Sequence, residues 1–136
     1  MKKILELKNN TKGQSLVEFA LILPVLILII LGIIEFGWLL NGQITLTNAA
    51  REGARTSVVC DSVTAYSKAL AAVQKYEGVG GLTNITIKPG DFSYSGGIAT
   101  VKVTAENKTL TGFFNGTILP SNGIVNIKAI AQMKIE

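Results

Sequence analysis

From Leu16 to Leu40 the chain is almost wholly apolar, and most of its charged residues lie on either side of this run. As a helix the run would be about 37 Å long, more than the roughly 30 Å hydrocarbon core of a bilayer. It therefore predicts a membrane-spanning helix with some tilt. Pro24 removes one backbone hydrogen bond inside the run and predicts a kink rather than a break, because membrane helices tolerate such a fault when the freed carbonyl is covered. The composition turns polar from Ile44, but no proline follows before Pro89, so the helical pattern continues outward. Ala49, Ala50, Gly53, Ala54 and Ser57 make a stripe of small residues, the one more open to a partner helix. Val59, Val63, Tyr66, Leu70 and Val73 recur at helical spacing and predict a face docked on the protein's own sheet. Asp61 or Ser62 is placed to cap a second helix after a bend near Cys60. Gly78, Gly80 and Gly81 end the helical region.

Beyond residue 78 the period becomes two. Ile85 and Ile87 alternate with Thr86 and Lys88 before a Pro89-Gly90 turn, which predicts a first strand. Phe92 and Tyr94, the turn Gly96-Gly97, and then Ala99, Val101, Val103 and Ala105 give a hairpin signal. Val125, Ile127, Ala129, Ala131 and Met133 mark a long final strand. The expected fold is α+β: a long N-terminal helix, half transmembrane and half extracytoplasmic, packed on a small antiparallel sheet. The connection between Glu106 and Gly123 is long and carries Leu110, Phe113, Phe114, Ile118 and Leu119. These residues are expected to fold back as a lid over the sheet, since a small head needs its apolar residues for a core. Contact between Phe113 or Phe114 and a partner is the second reading.

Composition narrows the chemistry. The 136 residues carry a net charge of +4, contain no histidine and have a single cysteine, Cys60. Zinc sites built from His and Cys, His-based acid–base catalysis and intrachain disulfides are excluded. No nucleophile elbow, phosphate loop or metal-ligand spacing is visible, so the expectation is a protein that is not an enzyme and needs no cofactor or metal. The net charge is concentrated in a leader, where Lys2, Lys3, Lys8 and Lys12 face only Glu6. Basic and acidic residues nearly balance in the remainder, which argues against nucleic acid as a partner. Four lysines before an apolar span match the positive-inside rule and predict a cytoplasmic N-terminus with the rest of the chain outside.

Two carboxylates interrupt the span, and a charge at the centre of a membrane helix costs about 2.5–3.5 kcal/mol even on lenient scales. Glu35, near the outer end, is expected to snorkel to the headgroups. Glu18 has a more specific setting, Lys12-Gly13-Gln14-Ser15-Leu16-Val17-Glu18-Phe19. A short basic peptide ending in glycine, with glutamate at the fifth position after it and phenylalanine alongside, resembles a class III prepilin leader. The similarity continues through Pro24, Gly32-Ile33-Ile34-Glu35-Phe36-Gly37 and Asn48-Ala49-Ala50-Arg51-Glu52-Gly53-Ala54-Arg55. It is fainter at Ala129 to Lys134. Together these segments resemble the TadE-like pseudopilin family.

The resemblance implies a minor pilin or pseudopilin precursor of a tight-adherence pilus, cleaved between Gly13 and Gln14 by a prepilin peptidase. Its other implied partners are pilin-like subunits, pilus-assembly membrane proteins and the lipid bilayer. The implied organisation is a leader at 1–13, a transmembrane helix at 14–43, an extracytoplasmic helical region at 44–78 and a β head at 79–136. The implied location is the cytoplasmic membrane, single-pass, with incorporation into a surface pilus. Cleavage would also create an α-amine at the edge of an apolar helix, and Glu18, one turn on, is placed to pair with it in the same subunit or a neighbour. The milder role for Glu18 is to complement the helix dipole. Arg51, Glu52 and Arg55 match the family segment outside the membrane, although Glu52 and Arg55 also have the spacing of an ordinary surface ion pair. The sequons at Asn84, Asn107 and Asn115 are assigned no role. The alternative function is an uncleaved bitopic component of a pilus-assembly or secretion apparatus.

Overall fold

The computed structural model describes residues 11–134 and contains two compact units, one ending at Ile34 and the other spanning Glu35–Glu136. Most of the leader, Met1 to Asn10, lies outside the described residues. Helix α1, Thr11–Val58, contributes to both units and continues through Pro24. With no further helix breaker before its end, and with Arg55 in the last turn against the negative end of the helix dipole, α1 runs well past the apolar stretch. In the first unit its side chains from Gly13 to Ile30 are all exposed. A helix that is apolar around its whole circumference and buries none of that surface has the character of a membrane span.

The second unit is a four-stranded head. Strands β1 (Leu82–Thr86), β2 (Phe92–Ser95), β3 (Ile98–Lys108) and β4 (Ile124–Lys134) form one antiparallel sheet. β4 pairs with β3 along its whole length, so β1 and β2 share the other edge of β3. The two-residue turn between β2 and β3 is Gly96-Gly97, both at positive φ, as a tight hairpin of this hand requires. A register shift between Thr83 and Thr86 accompanies the positive φ of Asn84. The period of two sorts the sheet into faces: Ala99, Val101, Val103, Ala105, Ala129 and Ala131 are buried. Against them pack Leu46, Ala49, Ala50 and Ala54 of α1, with Ala69 and Val73 of the second helix, α2 (Ser62–Gln74). The α+β fold is thus pilin-like, as expected.

Several local expectations are corrected. The small stripe of α1 faces the head's own core instead of a partner helix: Ala49, Ala50, Ala54 and Ser57 are fully buried. A Cβ on Gly53 would come within 2.8 Å of Val73 Cγ2, so glycine there sets the spacing between α1 and α2. The valine stripe is only half used. Val59 and Val63 are 81% and 89% exposed, whereas Ala65, Ala69, Ala72 and Val73 are buried and Tyr66 and Leu70 partly so. The helix breaks between Val58 and Ser62, which resets the register, so that Ala65, Ala69 and Val73 form the buried face of α2. Asp61 occupies the N-cap with extended backbone, yet its side chain makes no capping bond; its carbonyl accepts from the Thr64 and Ala65 amides. Tyr66 ties α2 to the sheet, its hydroxyl donating to the Ile87 carbonyl at 2.8 Å and its ring meeting Phe92 edge-on.

Candidate functional site

Glu35 opens the second compact unit. Glu35 is fully buried, contrary to the snorkelling expectation. Its carboxylate accepts the Leu110 and Thr111 amides at 2.8 Å each, and the Thr111 hydroxyl as well. The loop joining β3 to β4 thus closes on a carboxylate that would otherwise sit unpaired at the end of an apolar helix. Burial of a charge is tolerable when donors saturate it in this way.

Further polar contacts continue along the same stretch of α1. Trp38 Nε1 donates to the Lys108 carbonyl at 2.9 Å, and Gln43 Nε2 donates to the Lys128 carbonyl at 3.0 Å. Buried Asn107 donates its Nδ2 to the Leu39 carbonyl at 3.4 Å, while its Oδ1 has no partner among the described residues. This burial explains why the sequon at Asn107 has no surface to offer. Gly42 makes the arrangement possible, since a Cβ there would fall 1.9 Å from Asn107 Nδ2.

The other expected site residues lie apart from this seam. Gly13, Gln14, Glu18 and Phe19 are exposed on α1 in the first unit, with Pro24 further along it. Gln14 and Glu18 are four residues apart on one helix and so share a face. Arg51 is exposed, and Glu52 and Arg55 form a two-point ion pair at 2.7 and 3.0 Å. The hydrogen bond from Arg55, with its charge, holds the Glu52 carboxyl below its ordinary value and raises Arg55 in turn. The pair borders an open groove of about 470 Å³ that Cys60, Lys68 and Lys75 also line. Phe113 and Phe114 meet edge-on but diverge in setting: Phe114 is buried, and Phe113 is exposed. Of the two, only Phe113 is available at the surface. Among the described residues no three potential metal-ligating carboxylates and thiols converge.

An apolar helix long enough to cross a bilayer by length and composition, followed along the chain by a small antiparallel sheet, is consistent with a single-pass membrane protein of pilin-like fold. Residues 13–55, about a third of the chain, match the family model of TadE-like protein, and over that segment the chain is similar to that family. No curated protein and no solved structure matches it significantly. The match takes in Glu18, Glu35 and the Arg51–Arg55 segment, and it leaves out the sheet. Of the residues in the seam, Glu35 alone carried a signal in the sequence, a charge interrupting an apolar run. The loop that meets it was marked in the sequence by its length and apolar residues, but not by the backbone amides it supplies to Glu35.

Proposed function

We propose that the chain is the precursor of a minor pilin or pseudopilin of a tight-adherence pilus, cleaved after Gly13 and acting by assembly rather than catalysis. One observation carries this reading: an apolar helix, exposed throughout from Gly13 to Ile30, whose only charge between Gly13 and Ile34 is Glu18, within a segment that matches the TadE-like family model from residue 13. Cleavage would make Gln14 the new N-terminus, and its amine would lie one helical turn from Glu18. The four leader lysines favour a cytoplasmic N-terminus, which puts the peptide bond on the side of a prepilin peptidase and the head outside. Other pilin-like subunits and pilus-assembly membrane proteins are then the partners of the helix. An uncleaved bitopic component of the apparatus shares every feature except processing.

The test is expression of the full chain in membranes with and without a prepilin peptidase, read by intact mass and N-terminal sequence. A product beginning at Gln14 only with the peptidase supports the precursor. Retention of Met1 to Gly13 in both cases overturns it in favour of the fixed anchor. In the cleaved protein, Glu18→Ala is expected to reduce incorporation into filaments at unchanged expression; unaltered incorporation would remove the pairing role.

A further inference from the structure

We propose that the loop joining β3 to β4, residues 109–123, is a membrane-interface wedge. In this arrangement Leu110, Phe113 and Ile118 seat in the headgroup–acyl boundary of the leaflet from which α1 emerges. The inference rests on α1 being a membrane span, and it is independent of cleavage at Gly13. These three side chains are 52%, 57% and 66% exposed, although they lie in a loop with its own fixed structure. The Gly116 amide donates to the Leu119 carbonyl at 2.9 Å, the Asn115 amide to the Gly112 carbonyl at 3.1 Å, and Thr109 to Gly123 across the base. Phe114 is the buried anchor of this loop. An ordered loop that buries one phenylalanine and turns three large apolar side chains outward presents a surface to an apolar medium.

The Glu35 contact sets the depth of that surface. A helix from Gln14 to Ile34 is about 30 Å long, which already fills the hydrocarbon core. Glu35 follows directly and therefore lies at the outer boundary. The Leu110 and Thr111 amides are bonded to its carboxylate, so this part of the loop lies at the same level. The helix surface there is also apolar and exposed, at Phe36 and Leu40. Trp38 and Lys108, joined through the indole N–H, are residue types that belong at a bilayer interface: an amphipathic ring, and a long chain able to extend its charge to water. Continuity with the span thus selects lipid as the occupant. Apolar residues in this position would be buried by about 5–10 Å of the interfacial layer.

The full chain, with Cys60→Ser, would be reconstituted in phosphatidylcholine vesicles and labelled with an environment-sensitive fluorophore at one introduced cysteine. The positions are Phe113→Cys and Ile118→Cys in the loop, Lys102→Cys on the exposed sheet face, and Ile27→Cys in the apolar run. Labels at 113 and 118 are expected to emit at shorter wavelength than at 102. Lipid nitroxides near the top of the acyl chains should quench them, and aqueous iodide should do so several-fold less than at 102. If iodide reaches 113 and 118 as readily as 102 while deep nitroxides quench 27, the span stands and the wedge is refuted, leaving the loop to a protein partner. If iodide also reaches 27, the span reading fails and the wedge falls with it.

Discussion

Replacing Glu35 by glutamine keeps the shape of the side chain and removes its charge and one of its two acceptor oxygens. The two backbone amides that now meet separate oxygens at 2.8 Å would compete for a single one, while the new amide group would point an N–H at an N–H. Hydrogen bonds to charged groups contribute about 1.5–3 kcal/mol each, so losing one and weakening the other should cost the loop contact about 2–3 kcal/mol. The loop would then open more readily than the rest of the head. Hydrogen exchange at the Leu110 and Thr111 amides, measured in micelles, is the direct readout. A loss of about 2 kcal/mol corresponds to a roughly thirtyfold faster exchange. Amides inside the β3–β4 ladder, such as Val103, should change far less. Thr111→Val, which removes the hydroxyl donor alone, should give a smaller increase and couple to Glu35→Gln in a double-mutant cycle. Exchange at Leu110 and Thr111 within twofold of the parent would refute the saturated-carboxylate account of how the loop is held.

Three further outcomes follow from the packing and charges of the head. Gly53→Ala should destabilise the head by about 1–3 kcal/mol in thermal or denaturant unfolding, because the added carbon meets Val73 at 2.8 Å; full stability with impaired assembly would return the small stripe to a partner helix. Phe114→Ala should cost roughly 3 kcal/mol as a buried aromatic, whereas Phe113→Ala should leave unfolding unchanged; equal effects in the same assay would contradict their opposite settings. Glu52, its folded-state pKa lowered by Arg55, contributes its ion pair in full at neutral pH and loses it as pH falls through that lowered value. The contribution is small at an exposed site, and carboxyl NMR should show the Glu52 midpoint rising in Arg55→Ala; an unmoved midpoint would refute the pairing.

The periodic elements were legible because one physical signal dominates each. The apolar run, the alternation on either side of Gly96-Gly97, and the last strand all appear with nearly the expected bounds. What was hidden depends on tertiary choice. Val63 has the right spacing for a buried face, but Ala65, Ala69 and Val73 take that face after the break between Val58 and Ser62. The stripe of small residues was visible, yet smallness alone does not say whether the neighbour is another subunit or the chain's own sheet. Phe113 and Phe114 are adjacent and chemically identical, and only the path of the loop sends one inward. The sequence also marked Glu35 as costly without showing its remedy, since its donors are backbone amides and carry no signature in residue type.

The two carboxylates of α1 then solve one electrostatic problem in different ways. Each lies at an end of an apolar stretch, where an ionised group lacks the full solvation of bulk water. Glu35 is satisfied within its own chain, by a loop that must fold before the donors exist, so its cost is removed when the head forms. Glu18 is exposed, and among the described residues no donor is bonded to its carboxylate. Whatever stabilises it must come from outside that part of the helix: water and headgroups while the chain stays in the bilayer, or a positive group once it leaves. Under the proposed precursor reading, a filament of packed apolar helices would exclude the first option, and the N-terminal amine made by cleavage would supply the second. If so, the two sites fail differently. Loss of Glu35 should loosen the head of a single molecule at any concentration, whereas loss of Glu18 should leave the single molecule intact and appear only when subunits associate. A full-length Glu18→Ala chain whose head unfolds earlier than the parent's, in dilute micelles where subunits do not associate, would contradict that division.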